Sequence, residues 1–356
     1  MAPYIINLGL IFIIYIFMNI FPVKDKKKWF IRISFIEMFI FLAIRDVNVG
    51  PDCKVYIQIW NYISQLKFSE LSSVDWEPLF LVFNKIISLY TSNSQIYIIC
   101  TSFLALIGPY FLIKRYSKVP LYSIFLLITL QFFSYYIFTI RQSIAITILT
   151  FAIKYIKERK FFKFFIIVFL ATLVHKSSIL FLLMYFICNI KFTNKRLGIV
   201  FCVYIILFMI KDFILDVVLN FIYSEYINTS VSGEGHMLLL LMVVMFIIMF
   251  LIIRFEKMEI LHKDEDQTLS IENICINLFL FTIGLQILSI SRNIVARVVT
   301  DYYLYIILLI PCILDKVKKD KNRKIYYAIY SIICLAFYAY TLYGYIDTDM
   351  VYKVFL

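Results

Sequence analysis

The chain has 356 residues, 63% of them hydrophobic and 16% charged, with a net charge of +12. A soluble globular domain carries about 25% charged residues, and eight glycines and seven prolines leave little material for turns, so a soluble fold is excluded. The lysines and arginines sit in short clusters between apolar blocks, which assigns the positive charge to membrane orientation rather than to nucleic-acid binding.

The apolar blocks run for roughly 18 residues or more, the length that crosses about 30 Å of hydrocarbon. Backbone groups in lipid must be satisfied internally, so a span is a helix or part of a closed barrel. Blocks such as residues 121–138 lack the polar–apolar alternation of barrel strands. The expectation is therefore an all-α, polytopic integral membrane protein forming one membrane domain over residues 1–356. The first block, residues 4–22, lacks a basic leader region and a small-residue cleavage site and reads as a retained span. Further spans are expected at 29–45, 95–113, 119–138, 141–156, 161–175, 177–190, 198–215, 236–253, 271–290, 298–314 and 325–343, about twelve in all.

The block at 79–90 is short and carries Asn84 and Lys85. It is expected to be re-entrant or interfacial, which allows every basic cluster to lie in the cytoplasm and puts both termini outside. Residues 46–78 then form the largest outer loop, with Trp60 and Trp76 suited to the membrane interface, and residues 216–235 form a second outer loop. Residues 256–270 are cytoplasmic. Seven scattered cysteines without a CxxC pair support neither a disulfide framework nor a zinc site.

Ionisable groups at span ends are costly at depth and call for a partner or a ligand. Five places stand out, all facing outward on this topology. Arg45 closes the second span, followed by Gly50, Asp52 and Tyr56; snorkelling to the interface is its structural alternative. Glu77-Pro78 precedes the short apolar helix; it suits a helix start, and its carboxylate also suits a general base. Arg141-Gln142 opens a span with no loop residues to spare, and arginine binds phosphate oxygens bidentately. His175 lies in the tight turn Val174-His175-Lys176-Ser177-Ser178, without companions for a metal site. Arg292 and Arg297 flank a late turn, with Asp301 one helical turn beyond Arg297 and Tyr302 next to it. Four arginines and a histidine on one membrane side call for an anionic ligand at the membrane surface. A lipid-linked diphosphate fits that charge and location.

These motifs resemble a known family. The order R-x₄-G-x-D-x₃-Y over Arg45–Tyr56, Glu-Pro before an apolar helix, IRQSIA at 140–145, a basic loop KERKFFKFF, FLATLVHKSSILFL at 169–182 and a late R-x₄-Y is similar to the EpsG family of Wzy-like bacterial exopolysaccharide and capsule polymerases. The resemblance covers roughly residues 40–315. It implies a GT-C-like or Wzy-like membrane glycosyltransferase in the bacterial cytoplasmic membrane. Such an enzyme transfers a growing glycan from undecaprenyl diphosphate to a lipid-linked repeat unit on the outer side. A flippase and a chain-length regulator would be its partners. No cofactor or metal is expected: Asp347 and Asp349 have the form of a DxD motif but lie in the outer tail, and Asp264-Glu265-Asp266 reads as a solvated charge run. On this basis Arg45, Arg141, Arg292 and Arg297 would hold the diphosphate, with Gln142, Tyr56 and Tyr302 as further substrate contacts. His175, Glu77 or Asp52 would act as general base. The rival readings are a lipid-linked oligosaccharide flippase or transporter, a glycan ligase, and an acyltransferase.

Overall fold

The computed structural model describes residues 1–22, 24–222, 235–291, 293–346 and 348–355, with the side chains of 218–222 and 293–294 left out. Among these residues the secondary structure is helical, apart from two isolated bridges. In chain order the helices are α1 (Ala2–Ile20), α2 (Lys26–Ala43), α3 (Cys53–Gln65), α4 (Pro78–Tyr90), α5 (Ser94–Tyr116), α6 (Pro120–Thr129), α7 (Phe132–Phe138), α8 (Ile140–Lys157) and α9 (Phe161–Thr172). Then come α10 (Met184–Ile187), α11 (Asn194–Ile222), α12 (Gly235–Phe255), α13 (Ile271–Ser289), α14 (Asn293–Tyr303), α15 (Ile306–Asp315) and α16 (Asp320–Gly344). Segments of 3-10 helix lie at Phe68–Ser73 and Lys176–Leu183.

Each of the twelve expected spans coincides with helix. Among the described residues, seven helices are long and apolar enough to cross a membrane, or eight if the bent pair α6–α7 is one span. The chain is thus a polytopic membrane protein. The shortfall from twelve has physical reasons. Helices α2 and α8 are 18 residues long, but α2 carries Lys26, Lys27, Lys28, Arg32 and Glu37, and α8 carries Arg141, Lys154 and Lys157. Helix α9 has 12 residues, a rise of about 18 Å, and the returning segment Lys176–Ile187 is equally short. Helix α4, at 13 residues, rises about 20 Å, less than the roughly 30 Å of a bilayer core, in line with the re-entrant or interfacial expectation. The region 46–78 is not an extended loop: α3 and a 3-10 turn fill it. Helix α11 continues through Ile222 into the expected second outer loop, whose remainder lies outside the described residues.

The chain divides into two compact units. One comprises residues 1–155, 161–181 and 331–356, the other 156–160 and 182–330. In the first unit α5 and α8 approach so closely that a Cβ on Gly108 would meet the Thr147 Cα at 2.6 Å. The contact is fastened by the Thr147 hydroxyl, which lies 3.0 Å from both the Leu104 and Ala105 carbonyls. Gly108→Val is accordingly expected to cost at least about 1–3 kcal/mol by overpacking. The check is a lower thermal midpoint of the detergent-solubilised protein; an unchanged midpoint would show that the helices can part freely.

The expected span 119–138 is bent by 51° between α6 and α7. Gln131 sits at the break with φ 69°, a left-handed conformation that costs a non-glycine residue roughly 1–2 kcal/mol. Its side-chain amide offsets this: Nε2 donates to the Thr341 hydroxyl at 2.6 Å and Oε1 accepts from the Tyr345 hydroxyl at 2.8 Å. The end of the chain is stitched to the turn after α2. Asp46 N donates to Lys353 O (2.9 Å), Gly50 N to Asp349 O (2.8 Å) and Phe355 N to Ile44 O (2.9 Å). Gly50 has φ 103°, open only to glycine.

In the second unit α13 and the segment Val295–Asp315 are mostly enclosed, 78% and 83% buried, whereas the apolar stretch Asn194–Val217 of α11 is 0% buried. Bulky residues of α11 such as Phe201, Phe208 and Phe213 are exposed, as expected of a helix that faces lipid. The loop 256–270 is pinned rather than free. Lys157 Nζ donates to Thr268 Oγ1 (2.6 Å) and pairs with Asp264, and Lys316 Nζ lies 2.6 Å from Oε1 of the buried Glu272.

Candidate active site

The first unit gathers three of the expected polar positions on one carboxylate. Glu77 is the N-cap residue of α4, with Pro78 at the first helical position, yet its side chain makes no capping bond to its own helix. It is 4% exposed and turns to other elements instead. Arg141, the second residue of α8, donates from a terminal guanidinium nitrogen to Glu77 Oε2 at 2.6 Å. The backbone N–H of Lys176 donates to Oε1 at 2.9 Å. His175 Nδ1 stands 3.8 Å from the same oxygen, close enough to feel its charge and too far for a hydrogen bond.

Local structure explains how the three arrive together. The turn after α9 is closed by His175 N donating to Ala171 O (2.9 Å) and Ser178 N to His175 O (3.0 Å). That turn is clamped to α4 by Leu79 N donating to Leu173 O at 2.9 Å. The hairpin of α9 and Lys176–Ile187 therefore delivers His175 to the start of α4, where Glu77 meets the first turn of α8.

Trp76 completes the arrangement; sequence reasoning gave it an interfacial place and no part in the site. The Arg141 guanidinium lies 4.3 Å from the centre of its ring, a cation–π contact. Trp76 in turn stacks on Phe80 at 5.6 Å and meets Tyr56 edge-on at 6.0 Å. The sequence signal was its place directly before Glu77-Pro78. The interfacial expectation for Trp60 is corrected: it is 1% exposed and stacks on Tyr97 at 5.0 Å, because the amphipathic α3 turns Cys53, Tyr56, Trp60 and Ile63 to its buried face.

Arg141 Nε is buried and makes no hydrogen bond among the described residues. A guanidinium held by one carboxylate and one ring, with a donor left over, can take an anionic oxygen. An imidazole beside a carboxylate can accept a proton, the carboxylate balancing the charge that forms. Both Glu77 oxygens already accept hydrogen bonds, so Glu77 fits the charge-balancing role better than that of a free base.

The remaining expected residues lie elsewhere or act differently. Arg45 is fully buried. Its guanidinium donates to Leu42 O (2.5 Å), Ser102 Oγ (2.8 Å) and Ile137 O (3.2 Å), holding α2, α5 and α7 together instead of snorkelling. Asp52 is half-buried at the start of α3, one turn before Tyr56, with no side-chain cap bond. Tyr56 is buried against Trp76. Gln142 is buried and accepts from the Tyr135 hydroxyl at 3.0 Å. In the second unit Arg297 is exposed on α14, while Asp301 and Tyr302 are buried, Tyr302 against Phe281 at 5.0 Å. Arg292 lies outside the described residues, as does Asp347. No metal-binding group of histidines, cysteines and carboxylates occurs among the described residues.

A family model described as the EpsG family matches residues 28–354. The chain belongs to the EpsG family. No curated protein and no solved structure matches it. EpsG membership carries a polysaccharide-polymerase-like, glycosyltransferase-like role. All three residues of the Glu77 constellation fall inside the EpsG match, and so does Trp76.

Proposed function

We propose that this membrane protein polymerises a polysaccharide outside the bacterial cytoplasmic membrane, transferring the growing glycan from undecaprenyl diphosphate to a lipid-linked repeat unit. The observation that carries the reading is the Glu77–Arg141–His175 group, an anion-seeking guanidinium and an imidazole that share one buried carboxylate as neighbour. His175 Nε2 takes the proton of the acceptor hydroxyl as its oxygen bonds to the anomeric carbon. The bond from that carbon to the diphosphate breaks, and the diphosphate leaves as the anion. Arg141 meets the departing charge, which is the larger electrostatic demand of the step. Glu77 holds Arg141 directly and the His175 turn through Lys176 N, and Arg45 acts from within the fold by fixing α2, α5 and α7. Arg297, exposed on α14, and Arg292 are further proposed diphosphate ligands, on the strength of the family pattern.

The bent pair α6–α7 and helices α2 and α8 belong among the crossings on this proposal. A GT-C-like or Wzy-like arrangement is part of it. Basic clusters at Lys114–Lys118, Lys154–Lys163 and Lys316–Lys324 mark the cytoplasmic side, so Arg141, at the far end of α8 from Lys154, faces outward.

Purified protein in lipid nanodiscs is expected to lengthen a lipid-diphosphate-linked repeat unit with no nucleotide sugar and with a chelator present. Product length on a gel is the readout. An absolute need for a nucleotide sugar, or for a divalent metal, would overturn this donor assignment.

A further inference from the structure

At the opposite end of α8 from Arg141, a cavity of about 660 Å³ opens between α5, α8 and α9. Its mouth carries Lys114, Arg115 and Lys154, its apolar wall includes Phe111, Phe151 and Ile167, and no carboxylate lines it. The volume lies in the range of small-molecule sites, roughly 300–1,000 Å³. The cations are held by aromatic faces: Lys114 Nζ is 5.4 Å from the Tyr110 ring centre and 5.6 Å from that of Phe111, and the Arg115 guanidinium is 5.4 Å from Tyr116.

We propose that this cavity binds the phosphate headgroup of an anionic phospholipid in the cytoplasmic leaflet. Two features select a lipid over a free anion. The cationic mouth is continuous with an apolar wall, and Phe111 and Phe151 of that wall are 45% and 40% exposed, which in a membrane means exposed to acyl chains. Residues 114 and 115 also end α5 where a basic cluster marks the cytoplasmic interface. The leaflet rests on that orientation; the site itself is independent of the polymerase reading.

The test is a thermal-shift titration of the full-length, detergent-solubilised protein with short-chain phosphatidylglycerol, short-chain phosphatidylcholine or inorganic phosphate. A saturable rise in the melting midpoint is expected with phosphatidylglycerol alone. A lysine or arginine at an anionic lipid surface contributes roughly fivefold in affinity, so K114Q/R115Q should weaken binding roughly 25-fold. K318Q/K319Q removes the same charge from an exposed cluster that does not line the cavity and should leave binding unchanged. Ile167→Trp narrows the apolar part of the cavity without altering its charge and should weaken the response, so the result does not depend on the double variant folding. An equal response to inorganic phosphate would make the ligand a free anion and overturn the lipid. Equal loss in K318Q/K319Q, or a full response in Ile167→Trp, would reduce the effect to general surface charge and overturn the site. Each outcome is read from binding without glycan synthesis, so it stands apart from any failure of the polymerase proposal.

Discussion

Arg141→Lys is expected to lower the rate of polymer formation by roughly 10²–10³-fold, the scale of losing one preorganised donor to a developing anion, while the protein still folds. Lysine keeps a positive charge that can pair with Glu77, so the carboxylate is not left alone at 4% exposure. It does not keep the planar fork. The wild-type guanidinium gives one nitrogen to Glu77 at 2.6 Å, stands over the Trp76 ring 4.3 Å from its centre and has its Nε left over. An ammonium cannot do all three from one fixed position. Measuring initial polymerisation rate, lipid-donor affinity and melting midpoint together separates a catalytic loss from an unfolded protein. Wild-type rates from a folded lysine variant would remove Arg141 from the chemistry.

His175→Ala is expected to lower turnover by roughly 10²–10⁴-fold, the range for deleting a general base, with donor affinity changed by less than about threefold. The turn that carries His175 is held by backbone bonds, Leu79 N to Leu173 O and Lys176 N to the Glu77 carboxylate. It should keep its shape without the imidazole. Glu77 and Arg141 would remain paired, leaving the anion site intact. Single-turnover rates and donor binding measured on one preparation decide the matter. A donor affinity that falls as far as the rate would make His175 a binding residue and transfer the base role to another group.

Much of the fold was legible because its strongest determinant is local. Apolar runs in a chain this poor in turn residues must be helices in lipid, and each expected span is helical. Depth was less legible, because it depends on what surrounds a helix. Residues 161–175 read as a span, yet helix stops at Thr172 and the return segment is as short, since the turn is claimed by α4 through Leu173 and Lys176. The same limit applied to side chains. Glu77, Arg141 and His175 were each visible as charges a membrane does not need, and their meeting on one carboxylate depends on contacts between residues 64 or more positions apart. Arg45 drew attention for the same reason. Its answer is three internal hydrogen bonds, which no sequence spacing distinguishes from a ligand site. Trp60 and Trp76 were read by residue type as interfacial, whereas stacking on Tyr97 and capping of Arg141 set their places.

The stitching of residues 349–355 onto the turn at 44–50 bears on how the protein is made. The first unit is discontinuous: its early part ends at residue 155, apart from 161–181, and its last part begins at residue 331. At typical synthesis speeds of about 5–20 residues per second, a ribosome needs roughly 10–35 s to travel from the one to the other. Throughout that interval Asp46 N, Gly50 N and Ile44 O have been translated and their partners Lys353, Asp349 and Phe355 have not. The unit that carries Glu77 and Arg141 thus waits in the membrane with these bonds unmade until residues 349–355 emerge.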